Sequence, residues 1–430
     1  MKQLSDECRK VVRETAKTSH LGYVYNNVNI ALQVAEQVLG RKDSLENGTC
    51  VTAFELFDVI DADLETKQFI HSLMQAPCLT QEDIVLAGEE NKLLHSHLRH
   101  TVLRTIISVG GPAFSRHRDR VVKSTPDSLD KIMLHKTKVY PVSALKIDES
   151  STAGNADVIT TTLDDGGQPL DSPGSEDIFK IFTGDQLSVS RVRSVETNMA
   201  GCDCLAHSFL NIITIPGLFH HKMNATHSHI ETHWGSLHDP GSLQSHNTLL
   251  DRKPIVLSSL PPFRVCRGLI FVSLSSRFLH CLELVSECED LDEFGANISY
   301  ENLVAFADTI VAKFANASVV DKLRRAREEN RTQGWLDDAL TPPRVTKGDM
   351  VFENAVLALR DSLALREFTD AIKAGDSGRV VLILKLWALM YRGSERTKYA
   401  HEVLFLVHNL THVWPEGLRY EVRILFRIRI

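Results

Sequence analysis

IFKIFTGDQLSVSRVRSVE, residues 178–196, decides the fold, because an apolar run passes directly into an amphipathic segment. The run 178–183 predicts a short buried strand, and Gly184 ends it. Asp185 then stands at the carboxyl end of this strand, held on a rigid element at the edge of a sheet. Metal-dependent phosphoryl transfer needs acids in that position. Asp185 is therefore the best single candidate for chemistry, although an aspartate here can also serve only as the N-cap of the next helix.

A second strand is predicted at residues 22–30, GYVYNNVNI, which are rich in β-branched and aromatic residues. The second candidate is the pair Asn26-Asn27 in this strand, because an acid at the end of the strand could meet Asp185 across the sheet, and position 26 is an asparagine. An asparagine coordinates a metal through its amide oxygen but carries no charge. Two-metal catalysis with one charge missing should be severely weakened.

Composition restricts the class of protein. The chain has 430 residues, of which 43% are hydrophobic and 24% charged, so it is globular, with two or three domains. This excludes collagen-like and wholly disordered proteins. The net charge of −7 confines any nucleic-acid site to a local patch. Eight cysteines without a CxxC pair, and no secretory signal, predict an intracellular protein, nuclear or cytoplasmic and not secreted.

Charge is segregated in the first half of the chain. Residues 92–138 hold ten Lys or Arg and three acids. This stretch is either a solvated helix face or a surface that contacts DNA phosphates. Residues 147–178 hold eight acids and no Lys or Arg, and their glycines and prolines predict an acidic loop. The longest apolar run, 380–391, is too short to span a membrane, so no membrane partner is expected.

The histidine-rich stretch 220–246 leaves a metal site open. His229 and His233 share one helix face, but the HxExH pattern puts Glu231 out of position for a zinc protease. The alternatives are a structural metal or ordinary histidines. Cys202, Cys204 and His207 are either metal ligands or ordinary loop residues. The motifs of P-loop, dinucleotide-binding and α/β-hydrolase proteins do not occur.

These patterns predict an α/β core with a mixed sheet over residues 1–260. The core carries a basic helical insertion at about 60–138 and the acidic loop at 147–178. A mostly α-helical region follows at 261–418, because its apolar residues recur at helical spacing. The last segment, 419–430, alternates basic and apolar residues and is predicted to be a divergent tail.

Several long segments resemble a large basidiomycete family, a fungal domain of unknown function present in many copies per genome. The resemblance covers residues 1 to about 418 and includes VYNNVNIALQVAEQVLGRKDSLENGT (24–49), IDESSTAGNAD (147–157), FTGDQLSVSRVRS (182–194), PGLFHHKM (216–223), HNTLLDRKPI (246–255), LPPFRVCRGLIFVSLSSRFLHCLELV (260–285) and MYRGSERTKYAHEVL (390–404).

The resemblance implies a transposon-derived protein with a ribonuclease-H-like transposase core. By motif and strand order, Asn26 falls on the first acidic position and Asp185 on the second, with Gln186 in the same motif. His220 matches a histidine that follows the second acid. The implied activity is DNA cleavage and strand transfer, with Mg²⁺ or Mn²⁺ held by Asp185 and Asn26.

This chain departs from the family pattern. Asn26 replaces the first acid, the divergent tail stands where a third acid is expected, and the amino-terminal part is shorter. We therefore expect a truncated or decayed copy with little or no catalysis. The alternative is a non-catalytic helical binding or scaffold protein in which Asp185 is only a cap. The catalytic hypothesis requires the strands at 23–30 and 178–184 to be adjacent and parallel, with Asn26 facing Asp185.

Overall fold

A computed structural model describes residues 2–32, 44–128, 130–131, 133, 135–337 and 349–425. The chain divides into two compact units. Unit 1 comprises Met1–Ile84, Lys131–His221 and Lys398–Ile430, and unit 2 comprises Val85–Asp130 and Lys222–Thr397. The sequence suggested one boundary near residue 260. The units instead interleave along the chain, because helices far apart in sequence share one apolar core.

Unit 1 contains a sheet of five strands among its described residues, in the order β3-β2-β1-β4-β5. The strands are β1 (Leu21–Leu32), β2 (Ser44–Glu55), β3 (Val139–Pro141), β4 (Lys180–Gly184) and β5 (Ile212–Pro216). β2 runs antiparallel to β1 and β3, whereas β4 runs parallel to both β1 and β5. The predicted mixed sheet of an α/β core is confirmed.

Helices make up most of the remaining described chain. The first nine are α1 (Lys2–Ala16), α2 (Lys67–Gln75), α3 (Gln81–Ile84), α4 (Gly88–Val109), α5 (Pro112–Ser115), α6 (Arg118–Lys123), α7 (Thr152–Asp165), α8 (Gln186–Asn198) and α9 (Leu218–His233). The next nine are α10 (Leu243–Leu249), α11 (Phe263–Ser286), α12 (Leu291–Asn297), α13 (Tyr300–Phe314), α14 (Ala317–Asp337), α15 (Met350–Ala374), α16 (Ser377–Gly393), α17 (Thr397–His408) and α18 (Glu416–Leu425). Short 3₁₀ turns occupy Asp61–Leu64 and Ser175–Asp177, and a π turn occupies Asn409–Val413.

The core of unit 1 lies between the sheet and the helices α7 and α8. Tyr23 and Tyr25 of β1 and Phe182 of β4 pack there against Val158 of α7 and Val192 of α8. The ring centroids of Tyr23 and Phe182 are 5.0 Å apart in a stacked arrangement. This packing fixes which face of β1 is buried, and therefore which of its polar residues can meet the carboxyl end of β4.

The acidic segment 147–178 contains a helix where the sequence predicted a loop. Ser151 is the N-cap of α7, and its hydroxyl accepts from the Gly154 N–H at 2.9 Å. Val158, Ile159 and Leu163 are buried. Their helical spacing supplies the apolar face that stabilises α7. The high acid content hid this periodicity, because acids such as Asp157 lie on the exposed face.

The named secondary-structure elements of unit 2 are all helices among its described residues, and this agrees with the helical region predicted for the carboxyl-terminal part. Its core gathers buried residues from α4, α11, α13 and α15, including Ile106, Phe278, Leu303 and Leu363. Glu367 of α15 is completely buried and accepts from Thr101 Oγ1 at 2.6 Å and from Arg379 Nε at 2.7 Å. This buried hydrogen-bonded ion pair joins α4, α15 and α16.

One described helix, Phe263–Ser286, is long and apolar enough to cross a membrane, as is the bent pair Tyr300–Phe314 and Ala317–Glu329 taken together. Core helices of globular proteins have the same length and composition. Leu274 and Phe278 of the first helix are buried in the core of unit 2. These helices are therefore weak evidence of a membrane segment.

The segment 419–430, predicted to be a divergent tail, begins inside α18. Leu418 and Val422 of this helix are buried. The last five positions, 426–430, lie outside the described residues. Residues 419–425 of the predicted tail therefore belong to a packed helix.

Candidate carboxylate site in unit 1

Asp185 lies immediately after β4 and is the N-cap of α8. Its side-chain Oδ1 accepts a hydrogen bond from the Ser188 N–H at 2.7 Å. The predicted capping role is therefore confirmed. β4 pairs in parallel with β1 through Gly22 to Val24. The catalytic hypothesis requires these two strands to be adjacent and parallel, and they are.

Asn26 and Asn27 point to opposite faces of β1, because side chains alternate along a strand. Tyr23 and Tyr25 face the core beneath α7 and α8, so Asn27 shares their face and Asn26 does not. Asn26 is exposed and pairs in register with Cys50 of β2, which is exposed as well. The structure thus brings Asn27, rather than Asn26, to the side of the sheet that carries the acids.

Glu149 is the residue that Asn27 meets. Its side chain lies in the turn before α7 and is only 3% exposed. The backbone N–H of Asn27 donates a hydrogen bond to this carboxylate. Glu149 Oε2 and Asn27 Oδ1 are both buried and have no hydrogen-bond partner among the described residues. Two oxygen atoms with unused acceptor capacity therefore lie in the same region.

The Glu149 carboxyl holds its proton more tightly than an ordinary glutamate. Burial raises its pKa, the nearby charge of Asp185 raises it further, and the resulting pKa is about 7. The Asn27 hydrogen bond and the charge of Arg191 act in the opposite direction but do not cancel these effects. Two carboxylates that repel one another at the end of a strand are a common feature of catalytic and metal sites.

The turn that carries Glu149 is held by hydrogen bonds to its backbone. Its carbonyl oxygen accepts from Arg191 Nη1 at 2.7 Å and from Asn155 Nδ2 at 2.6 Å. Tyr25 donates to Asn155 Oδ1 at 3.0 Å. Burial raises the pKa of the Tyr25 hydroxyl, and the charges of Glu149 and Asp185 raise it further. Tyr25 therefore lies beside both carboxylates and remains protonated.

His220 lies in the first turn of α9, next after β5. Burial lowers the pKa of its imidazole, while the charge of Asp185 acts to raise it. His220 is therefore within electrostatic reach of Asp185 and is neutral at pH 7. Gln186, from the same motif as Asp185, points elsewhere: its Nε2 donates to Glu402 Oε1 at 3.3 Å. Glu402 also accepts from Arg193 Nη1 at 2.9 Å.

Most cations of the basic stretch 92–138 have partners within the protein. Six of the ten contact carboxylates or backbone carbonyls, namely Lys92, Arg99, Arg104, Arg116, Arg120 and Lys138. The exposed cations Arg118, Lys123, Lys131 and Lys136 remain as candidates for contact with a polyanion. Five of the ten cations therefore form ion pairs within the protein, Arg116 binds backbone carbonyls, and four cations are directed to solvent.

The sequence left two histidine-based metal sites open. His207 Nε2 lies 2.7 Å from Asp171 Oδ1, and its backbone N–H donates to Cys204 Sγ at 3.4 Å. The other of these two sites is the one with metal-ligand spacing. Among the described residues, His229 and His233 form a three-residue group with Asp361, in unit 2. Asp361 was not a candidate from the sequence, because it lies on α15, far along the chain from α9.

Sequence reasoning also missed Glu149 and Arg191 in unit 1, and it assigned the first acidic position to Asn26 rather than to its neighbour Asn27. Glu149 falls inside the IDESSTAGNAD segment that carries part of the family resemblance, so a signal was present. For Asn27, the signal was the alternation with Tyr23 and Tyr25 in the same strand. Neither signal identifies a site until it is known which face of β1 is buried and which element packs against that face.

Comparison with known proteins gives one match. A family model described as a family of unknown function (DUF6589) matches residues 74–424. The match includes Glu149, Asp185 and His220 but begins after β1. No curated protein and no solved structure matches the chain.

Proposed function

We propose that this chain, which belongs to the family of unknown function DUF6589, carries in unit 1 a ribonuclease-H-like phosphoryl-transfer core whose activity on DNA is weak or lost. One observation carries the proposal. Buried Glu149 feels the charge of Asp185, which directly follows β4, and a buried oxygen of Glu149 has no hydrogen-bond partner among the described residues.

The fold supports this proposal by strand order and by the position of the acids. The central strand β1 lies between antiparallel β2 and parallel β4. The first strand carries Asn27, and Asp185 follows directly after the fourth strand. Glu149 lies in the turn before α7, and α7 precedes β4 in the chain. Likeness to a ribonuclease-H-like core remains an analogy of motif and topology, since function depends on the site rather than the fold.

The side chains present fit a hard divalent cation. Asp185 and Glu149 would supply carboxylate oxygens, and Asn27 would supply its amide oxygen. Mg²⁺ and Mn²⁺ prefer ligands of this kind. When bound, such a cation would polarise a phosphate and offset its negative charge. Asn26, on the other face of β1, is not needed in this arrangement.

Glu149 would act as a ligand of the cation, so the proton of the attacking water would pass to solvent. As the oxygen of water bonds to phosphorus, the bond from phosphorus to the 3′ oxygen breaks, and the departing oxygen takes a proton from solvent. The neutral amide of Asn27, in place of an acid, leaves the site one negative charge short, so we expect slow turnover.

DNA is the proposed substrate because of the family resemblance and the cations that remain directed to solvent. Lys131 and Lys136, which belong to unit 1 as the proposed site does, are exposed and have the charge that phosphate contacts require. Binding through so few cations would be weak and would fall with increasing salt. Replacing both by alanine should reduce the salt dependence of binding to a duplex oligonucleotide.

A Mn²⁺ titration by calorimetry tests the site directly. The parent is compared with Asp185→Asn, which retains a good N-cap but loses the charge, and with Asn27→Asp, which adds one. We expect Asp185→Asn to bind at least about tenfold more weakly and Asn27→Asp about tenfold more tightly, since close charges change binding by about 1.4 kcal/mol or more.

Asn26→Asp is the matched control for Asn27→Asp. It adds the same charge to the same strand, on the opposite face. Equal gains in both variants would mean that the charge acts at long range rather than at this site. Equal affinity in the parent and Asp185→Asn would contradict the proposal.

The second candidate function is a non-catalytic binding or scaffold protein. The hydrogen bond from Ser188 to Asp185 favours it, because capping alone accounts for this residue. In that case Asp185→Asn leaves both stability and Mn²⁺ binding unchanged. The same titration therefore separates the two functions.

A further inference from the structure

A second cluster of metal-ligand side chains lies in unit 2, apart from the carboxylates of unit 1. His229 and His233 are one helical turn apart on α9, and their ring centroids are separated by 4.7 Å. Asp361 of α15 completes the group, with His233 Nε2 at 2.9 Å from Asp361 Oδ2. One ligand atom from each of the three residues lies within 4.8 Å of the other two.

His229 has a feature that core packing does not explain. Its side chain is only 4% exposed, yet its Nδ1 has no hydrogen-bond partner among the described residues. Leaving a buried polar atom without a partner costs about 1–3 kcal/mol. His233 has its partner in Asp361, but His229 in the same cluster does not. A bound ion would remove this cost.

We propose that His229, His233 and Asp361 form a zinc site with a fourth position open to water or another ligand. Two imidazoles and one carboxylate are a common ligand set for Zn²⁺, at bond lengths of about 2.0–2.2 Å. A tetrahedral ion at these lengths separates its ligand atoms by about 3.4 Å. The three ligand atoms, all within 4.8 Å of one another, reach this geometry through small side-chain rotations.

The charge state of the cluster suits a cation. Burial lowers the pKa of His229 to about 3, and the charge of His233 lowers it further, so its nitrogen lone pair is available at neutral pH. Burial raises the pKa of Asp361, but the His233 hydrogen bond and the charge of Arg360 keep it below the usual range. Asp361 is therefore ionised and supplies the negative charge.

Two arginines define the surroundings of the site. Arg360 Nε donates to Asp361 Oδ1 at 2.7 Å, which fixes the carboxylate and leaves Oδ2 to face the histidines. This is the kind of outer contact that orients a metal ligand. Arg277 is the opposing cation, because its charge also lowers the pKa of His229. Asp361 offsets this charge, so we expect moderate rather than extreme affinity.

The ligand chemistry separates this site from the one proposed in unit 1. Imidazole nitrogens favour Zn²⁺ over Mg²⁺, whereas a site made only of oxygen atoms favours Mg²⁺ or Mn²⁺. The inference does not depend on the proposed function. It would stand if unit 1 bound nothing.

Cobalt and zinc binding by the full chain, after removal of metal by chelation and dialysis, tests the proposal. We expect one equivalent of Co²⁺ to give the visible absorption bands of a tetrahedral site, and Zn²⁺ to displace it. His233→Ala and Asp361→Asn should each weaken Zn²⁺ binding by at least tenfold. His238→Ala is the matched control, because His238 is exposed outside the cluster and should leave binding unchanged.

Two results would overturn the zinc site: absence of a tetrahedral Co²⁺ spectrum in the parent, and parent-like Zn²⁺ affinity in both ligand variants. The parent spectrum decides the question even if a variant fails to fold. For variants that fold, as judged by circular dichroism, the rise in Tm on adding Zn²⁺ should be lost in His233→Ala and retained in His238→Ala.

Discussion

Glu149 and Asp185 lie close enough for the charge of Asp185 to raise the pKa of Glu149, which burial has already raised, to about 7. Asp185 is fixed at the end of β4 by its capping bond to Ser188. Glu149 is fixed by hydrogen bonds from Arg191 and Asn155 to its backbone oxygen. The two acids repel one another in a fixed geometry, and a cation would relieve this repulsion.

The titration of Glu149 predicts a pH-dependent stability. Its folded pKa of about 7 exceeds its ordinary value of 4.5, so between these values the folded state binds the proton and the unfolded state does not. The free energy of unfolding therefore falls as pH rises from about 4.5 to 7. The loss is at most about 3.4 kcal/mol, at 1.36 kcal/mol per pKa unit.

Urea unfolding of the parent and Glu149→Gln at several pH values measures this contribution. The glutamine carries no charge, so the variant should lose less stability than the parent across the window. Glu196 and Glu421 also have raised pKa values, and only the difference between the two proteins reports on Glu149. Parallel pH profiles would contradict the assignment.

Two substitutions at Asp185 separate capping from charge. Asp185→Ala should lower the free energy of unfolding by about 1 kcal/mol, because the Ser188 N–H loses its acceptor. Asp185→Asn should change it little, because asparagine caps as well as aspartate. Thermal or urea denaturation measures whether Asp185→Ala is less stable than Asp185→Asn. Equal losses in both variants would mean that the charge, rather than the cap, stabilises α8.

Gly154→Ala should damage the site from a distance. A Cβ at this position would lie 2.0 Å from the backbone oxygen of Asp148, so the turn that carries Glu149 must shift. Overpacking of this kind costs about 1–3 kcal/mol. We expect lower stability and weaker Mn²⁺ binding, measured by urea unfolding and calorimetry.

Gly88→Ala is the control for this substitution. Nothing lies within 4 Å of a Cβ at Gly88, which is also a helical glycine. Alanine there should be neutral or should stabilise by up to about 1 kcal/mol. If both glycine variants behave alike, the close approach of Asp148 does not restrict position 154.

The buried ion pair of unit 2 should be costly to break. Glu367 is fully buried and accepts from Arg379 Nε at 2.7 Å. Glu367→Ala leaves the Arg379 charge buried and unpaired, with an expected loss of about 3–5 kcal/mol. Glu301→Ala, which breaks the exposed pair with Arg120, should cost no more than about 1 kcal/mol. Urea denaturation measures the loss of stability in both variants. Similar losses would mean that burial does not raise the cost of breaking an ion pair.

The sequence by itself determined the strands β1 and β4 and the position of Asp185. The apolar run before Gly184 and the amphipathic run after Asp185 are local patterns, and strand, cap and helix depend on neighbouring residues. The mixed α/β core and the helical carboxyl-terminal region followed from the same local periodicities. The acidic segment was misjudged only because its charges masked the apolar face of α7.

The tertiary structure decided which side chains meet. Asn26 and Asn27 are the same residue type in the same strand, and only the packing of Tyr23 and Tyr25 against α7 and α8 selects Asn27 for the face that carries Glu149. Asp361 joins His229 and His233 only because α15 packs near α9. The strength of these interactions depends on distance and burial, and neither quantity is encoded in local sequence.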